Sequence, residues 1–187
     1  MFELKKYINN IEFFSMSEFP PSSNLVHIAL AFDDNYAMPV GVTITSVIEN
    51  NDGLHFCFHL LVDKVFITNI VKLKELVQHD VSIKIYYLNA NFDINPNTLV
   101  LGYLSAVSCV RFILLALLHS QVKKFLYLDS DILCLKSISE LYNTDISDYI
   151  AGVIPDDKQM RDEIKTLYSI DIEKYFNSGV LLINTEK

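Results

Sequence analysis

Apolar positions along the chain follow two alternating rhythms. Continuous runs such as VHIALAF (Val26 to Phe32), LHFCFHLLV (Leu54 to Val62), VSIKIYYL (Val81 to Leu88) and the first half of KFLYLDSD (Lys124 to Asp131) have the length and residue types of buried strands. Between them, MPVGVTITSVIEN (Met38 to Asn50) places Val40, Ile44, Val47 and Ile48 at helical spacing, and Thr68 to His79 reads as a lysine-bearing amphipathic helix. A third helix, largely buried, is expected from about Ser105 to His119. ISELYN and the strands YIAGVIP (Tyr149 to Pro155) and SGVLLIN (Ser178 to Asn184) complete the series. This alternation predicts an α/β fold with a mostly parallel sheet covered on both faces. Ligands of such sheets bind beyond the carboxyl ends of the strands. Two segments sit there: AFDDNYA after the first strand and DSD after the fourth.

The breaker cluster PPSSN separates an amino-terminal arm, residues 1–24, from one domain over residues 25–187. With 187 residues, 51% of them hydrophobic, the chain suffices for a single sizeable core. A net charge of -8 without a basic stripe excludes a nucleic-acid binder. Leu99 to Leu118 is a 20-residue stretch with one charge. Its Arg111 would cost roughly 2.5 to 3.5 kcal/mol at a bilayer centre, so a buried helix is expected in place of a membrane span. Three dispersed cysteines and a polar amino terminus without a signal-peptide run point to a cytoplasmic protein.

In extended backbone Asp129 and Asp131 present their carboxylates to one side while Ser130 faces away. Like charges that close require a cation, and oxygen-only ligands suit Mg²⁺ or Mn²⁺. The alternative is a solvated turn that caps a strand. Asp33, Asp34, Asn35 and Tyr36 contain no glycine-rich phosphate cradle; they offer hydrogen bonds and a phenol ring, which suit a nucleoside. An Asx-turn that caps a helix is the competing reading there. His55, Cys57 and His59 alternate along one strand face at a spacing that suits zinc. The apolar face made by Phe56, Phe58 and Leu60, and the lack of a fourth ligand nearby in sequence, favour an ordinary two-sided strand. His27, His79 and His119 read as structural or surface residues.

VHIALAFDDNYAMPVGVTITSVIENN, the Arg111 helix, KFLYLDSDILCLKSISELYN and YFNSGVLLIN resemble, in order and spacing, the blocks of family 8 glycosyltransferases, over about Val26 to Lys187. The most similar subgroup is the bacterial lipopolysaccharide core glucosyl- and galactosyltransferases. The resemblance implies a GT-A fold and a retaining transfer of glucose or galactose from UDP-glucose or UDP-galactose, with Mn²⁺ or Mg²⁺, to a lipopolysaccharide core or other glycan. It also implies peripheral association with the inner face of the cytoplasmic membrane. By motif, Ala31, Phe32, Asp33, Asp34, Asn35 and Tyr36 would hold uracil and ribose. Asp129 and Asp131 would bind the metal, with Asp129 and Ser130 near the nucleotide. Arg111 would reach the donor, Asn177 would be the active-site asparagine, and Asp156, or else its neighbour Asp157, would touch the donor sugar. Family members supply a further metal-binding histidine and a membrane-binding tail after the last block matched here. Two alternatives accompany this reading: a UDP-sugar-binding protein without transfer, and a haloacid-dehalogenase-like phosphatase. The second fits poorly, because Leu133 stands where that family has Thr or Val.

Overall fold

The computed structural model describes residues 7–17, 25–89, 106–168 and 175–187. The PPSSN breaker and residues 99–105 of the apolar stretch lie outside the described residues. One sheet holds β1 (Ile8–Phe14), β2 (Leu25–Asp33), β3 (His55–Asp63), β4 (Val81–Leu88), β5 (Lys124–Leu128), β6 (Ala151–Pro155) and β7 (Phe176–Asn184). The order across it is β1-β4-β3-β2-β5-β7-β6. The helices are α1 (Ala37–Glu49), α2 (Ile67–Lys74), α3 (Ala106–Leu118), α4 (Ser139–Tyr142) and α5 (Lys158–Tyr168).

Strands β4, β3, β2 and β5 run parallel, and antiparallel pairs flank them: β1 on β4, β7 on β5 and β6 on β7. The sheet is therefore parallel at its centre and antiparallel at both margins. Helices α1 and α2 supply the long crossovers that parallel neighbours require. Edge strand β1 falls within the segment read as an arm. It is half exposed, so it lacks the continuous apolar run that marks the central strands.

Alternation along each strand divides the core in two. Val26, Ile28, Leu30 and Phe32 of β2, with Phe56, Phe58 and Leu60 of β3, meet Val40, Ile44 and Val47 of α1 and Ile70 and Leu73 of α2. On the other face Ala29, Ala31, Leu61, Tyr86 and Phe125 meet Ile113, Leu114, Leu117 and Leu118 of α3. Burying each larger side chain contributes about 1.5–3 kcal/mol. No described helix is long and apolar enough to cross a membrane.

Two helices differ from expectation. α2 stops at Lys74, because Leu76 and Val77 donate to carbonyls three residues back and Gln78 exchanges bonds with Val81, closing a tight turn into β4. α5 has a mostly polar sequence and gave no apolar signal. Asp157 caps it by accepting the Met160 N–H at 2.8 Å, and Ile164 is its buried anchor.

Beyond the end of α3 the second face turns polar. Nδ1 of His27 lies 3.1 Å from Nε2 of His59, whose Nδ1 is 3.0 Å from the Tyr86 hydroxyl. Burial lowers the His27 pKa to about 4. Burial, then the nearby His27 and Lys84 charges, lowers that of His59 to about 3. Both folded values lie below the unfolded 6.5, so the unfolded chain takes up protons first as pH falls. The associated stability is complete above about pH 6.5 and drains away toward pH 4, on the order of 2 kcal/mol from His27 between pH 7 and 5. Urea denaturation in the presence of a chelator is expected to give a lower midpoint at pH 5 than at pH 7, and His27→Gln to narrow that difference.

Candidate active site

Order β4-β3-β2-β5 means that the chain leaves β2 in one direction and later returns to pair β5 on its other side. The carboxyl ends of β2 and β5 therefore flank the point where strand order reverses, the usual ligand crevice of an open α/β sheet. Because β6 and β5 are both antiparallel to β7, the end of β6 and the start of β7 lie at this same edge. Here the fold collects Asp33 to Tyr36, Asp129 to Asp131, Asp156 and Asn177.

At the end of β2, Asp33 accepts the N–H groups of Asn35 (3.0 Å) and Tyr36 (3.3 Å), closing a 3-10 turn over Asp34–Tyr36. Asp34 accepts from the Phe66 N–H (2.8 Å) and the Asn69 amide (2.9 Å), which places a negative charge at the amino end of α2. Both aspartates thus perform the capping that competed with a ligand role. Asn35 and Tyr36 are exposed, while Ala31 and Phe32 are buried and offer a ligand only main chain.

β5 stops at Leu128, and Asp129 to Asp131 form a turn, not the extended segment expected. Ser130 is turned inward; its hydroxyl donates to the Ala31 carbonyl at 2.9 Å, joining the two strand ends. Asp131 is exposed and Asp129 half-buried. The turn is pinned from beneath by α1. Thr43 donates to the Ile132 carbonyl (2.7 Å), Ser46 accepts the Cys134 N–H (2.9 Å), and Asn50 donates to the Cys134 carbonyl (3.1 Å). Positions 43, 46 and 50 share one helical face, so a polar stripe on α1 holds the acidic turn.

Asp129 is the hub. Its Oδ1 accepts the Tyr127 hydroxyl at 2.9 Å and Nη2 of Arg111 at 3.4 Å, and its N–H donates to the Gly179 carbonyl at 2.8 Å. Arg111 also donates to the Ser178 carbonyl at 2.6 Å and lies 4.9 Å from the centre of the Tyr127 ring. Burial, then the charge of Asp129, pushes the Tyr127 phenol well above its ordinary pKa, so it remains a donor. Gly179 donates to Oδ1 of Asn177 at 2.8 Å. A Cβ on Gly179 would stand 2.9 Å from Asp129 Oδ2 and 3.1 Å from Asn177 Oδ1, so a side chain here would push the Asp129 carboxylate aside. Just after β6, Asp157 serves as the α5 cap, and Asp156 accepts the N–H of Asp157 at 2.9 Å.

The profile of the family described as glycosyl transferase family 8 matches residues 27–187. The chain belongs to glycosyl transferase family 8. Lipopolysaccharide 1,2-glucosyltransferase of Escherichia coli K12 is 30% identical over 172 residues, 89% of this chain and 49% of that relative. Lipopolysaccharide glucosyltransferase WaaO of the same strain is 30% identical over 164 residues, 84% and 48% respectively. The chain thus spans about half the length of these curated relatives. Among solved structures, galactosyltransferase LgtC in complex with donor and acceptor sugar analogues superposes with a TM-score of 0.68 at 28% identity, over 87% of this chain and 59% of that one. The architecture is that of the GT-A fold.

Three contributors to this family 8 site carry no sequence signal of their own. Tyr127, Gly179 and the α1 stripe acquire meaning only once β5 lies between β2 and β7; the FNSG and YLD strings were the available hints. Because Thr43 is buried and its hydroxyl serves the Ile132 carbonyl, Thr43→Val is expected to lower stability by about 1–3 kcal/mol, read from urea denaturation.

Proposed function

We propose that this chain forms the donor-binding part of a metal-dependent, retaining hexosyltransferase. It would move glucose or galactose from a UDP-sugar to a lipopolysaccharide core hydroxyl at the cytoplasmic face of the membrane. The observation that carries this reading is the convergence of Arg111, Tyr127 and Gly179 on Asp129 at the strand-order reversal, within a family 8 chain. The relatives' names, two lipopolysaccharide glucosyltransferases and a galactosyltransferase, support a hexose donor and a sugar acceptor.

Asn35 and Tyr36 offer an amide and a ring to base and ribose, with Ala31 and Phe32 supplying main chain and Asp33 and Asp34 the carboxylates behind them. Asp129 and Asp131 provide oxygen donors only, which fits Mn²⁺ or Mg²⁺, ions that bind one or two carboxylates and fill their shell with water and phosphate oxygens. When bound, such an ion neutralises charge on the leaving diphosphate. Arg111 adds a guanidinium whose orientation is set by Ser178 and Asp129. In the transfer, the bond from the anomeric carbon to the β-phosphate oxygen breaks with its electron pair leaving on UDP. The acceptor hydroxyl bonds to the same face and gives its proton to the departing phosphate. Asp156 and the Asn177 amide oxygen would offset positive charge at the anomeric carbon.

Isothermal titration calorimetry with UDP-glucose and UDP-galactose is expected to show one donor bound per chain with Mn²⁺ present. Binding should weaken at least about tenfold without metal and vanish in Asp129→Asn/Asp131→Asn. Metal-independent binding, or none, would sink the proposal. UDP release in the presence of acceptor distinguishes transfer from binding alone.

Gly179→Ala should lower donor affinity by about tenfold, since its methyl displaces the Asp129 carboxylate. Far-UV circular dichroism should be unchanged, because the group that gives way is a side-chain end.

A further inference from the structure

Far from the crevice, the parallel register builds a second cluster of chemistry-bearing side chains. His27 of β2 is paired with Cys57 of β3, and His59, two residues on, shares their face. α3 covers this face only as far as Leu118, so the three side chains lie past its end. Their ligand atoms, two imidazole nitrogens and a thiol sulfur, all lie within 4.8 Å of one another. His27 stands six residues before Asp33, roughly 20 Å along the strand.

We propose that His27, Cys57 and His59 form a binding site for a zinc-class divalent ion, separate from the strand-end crevice. Zinc bonds to nitrogen and sulfur at about 2.0–2.3 Å set tetrahedral donors roughly 3.3–3.6 Å apart. The two facing imidazole nitrogens are already 3.1 Å apart, and the Cys57 sulfur lies within 4.8 Å of both. Tyr86 holds the far nitrogen of His59 at 3.0 Å, the outer partner that orients a metal-ligating imidazole. Burial keeps both rings neutral, leaving a lone pair on each for a metal. A cavity of about 360 Å³, bounded also by Phe13, Lys84 and Gln121, gives entry and room for water as fourth ligand. Lys84 is the opposing charge. Its ammonium is drawn to Gln121 Oε1 at 2.6 Å; burial raises the Cys57 pKa, so the thiol gives up its proton only when the cation binds, and the resulting thiolate then offsets Lys84. A hydrogen-bonded histidine pair alone would explain two of these residues; the thiol beside them is what makes a metal site.

The test uses metal-free full chain carrying Asp129→Asn/Asp131→Asn, which removes the crevice carboxylates. Titration with Zn²⁺ against a chromophoric chelator is expected to show one ion per chain. Co²⁺ in its place should give a thiolate-to-metal charge-transfer band in the near ultraviolet. Cys57→Ser should abolish that band, and His27→Gln, at a half-buried position, should weaken Zn²⁺ binding by on the order of 100-fold while circular dichroism stays unchanged. Affinity that is unaltered in His27→Gln, or a cobalt complex without the charge-transfer band, overturns the assignment.

Discussion

Parallel pairing of β2 with β5 organises everything chemical in this molecule. Ile28 opposite Leu126 and Ala29 opposite Tyr127 set the two strands side by side, and the Ser130 hydroxyl on the Ala31 carbonyl locks their carboxyl ends together. The segments joined in this way are about a hundred residues apart in the chain, so loop-closure entropy opposes the contact. Burial on both faces of β2 compensates. Every residue from Val26 to Phe32 except His27 is buried, and the two cores meet along this one strand.

An acidic turn at such a junction would repel itself if left to solvent and drift if left to its own backbone. The fold answers with two different devices. Charge is countered from α3 and β5, where Arg111 and the protonated Tyr127 both face Asp129 Oδ1. Position is set from α1, whose Thr43, Ser46 and Asn50 take up the main-chain groups of residues 132 and 134. A buried main-chain carbonyl left without a donor costs more than the bond itself is worth, so this stripe fixes the turn sharply. Asp129, held by Arg111 and Tyr127, thereby stays half-buried at this turn, while Asp131 stays exposed.

Much of the fold was legible because its central strands are continuous apolar runs and α1 and α3 keep helical spacing. Where burial is partial, legibility fell. β1 at an exposed edge and the polar α5 went unread, and α2 was read too long because lysine-rich amphipathic spacing continues through a tight turn. At the crevice, short strings pointed to the strand-end residues that the fold gathers there, but not to the bonds those residues make. Asp33 and Asp34 prove to be caps as well as candidate ligands. Asp157 proves to be the α5 cap.

By itself, the sequence determined the alternation of elements, the two acidic strand ends and the family blocks, since local apolar period and short motifs are properties of neighbouring residues. Tertiary structure alone decided which strand lies beside which. That choice brought Gly179 against Asp129, placed the α1 stripe beneath the turn, and set His27 of one strand beside Cys57 of the next in place of His55. Cross-strand register joins residues that are remote in the chain, and no period within a single segment records it.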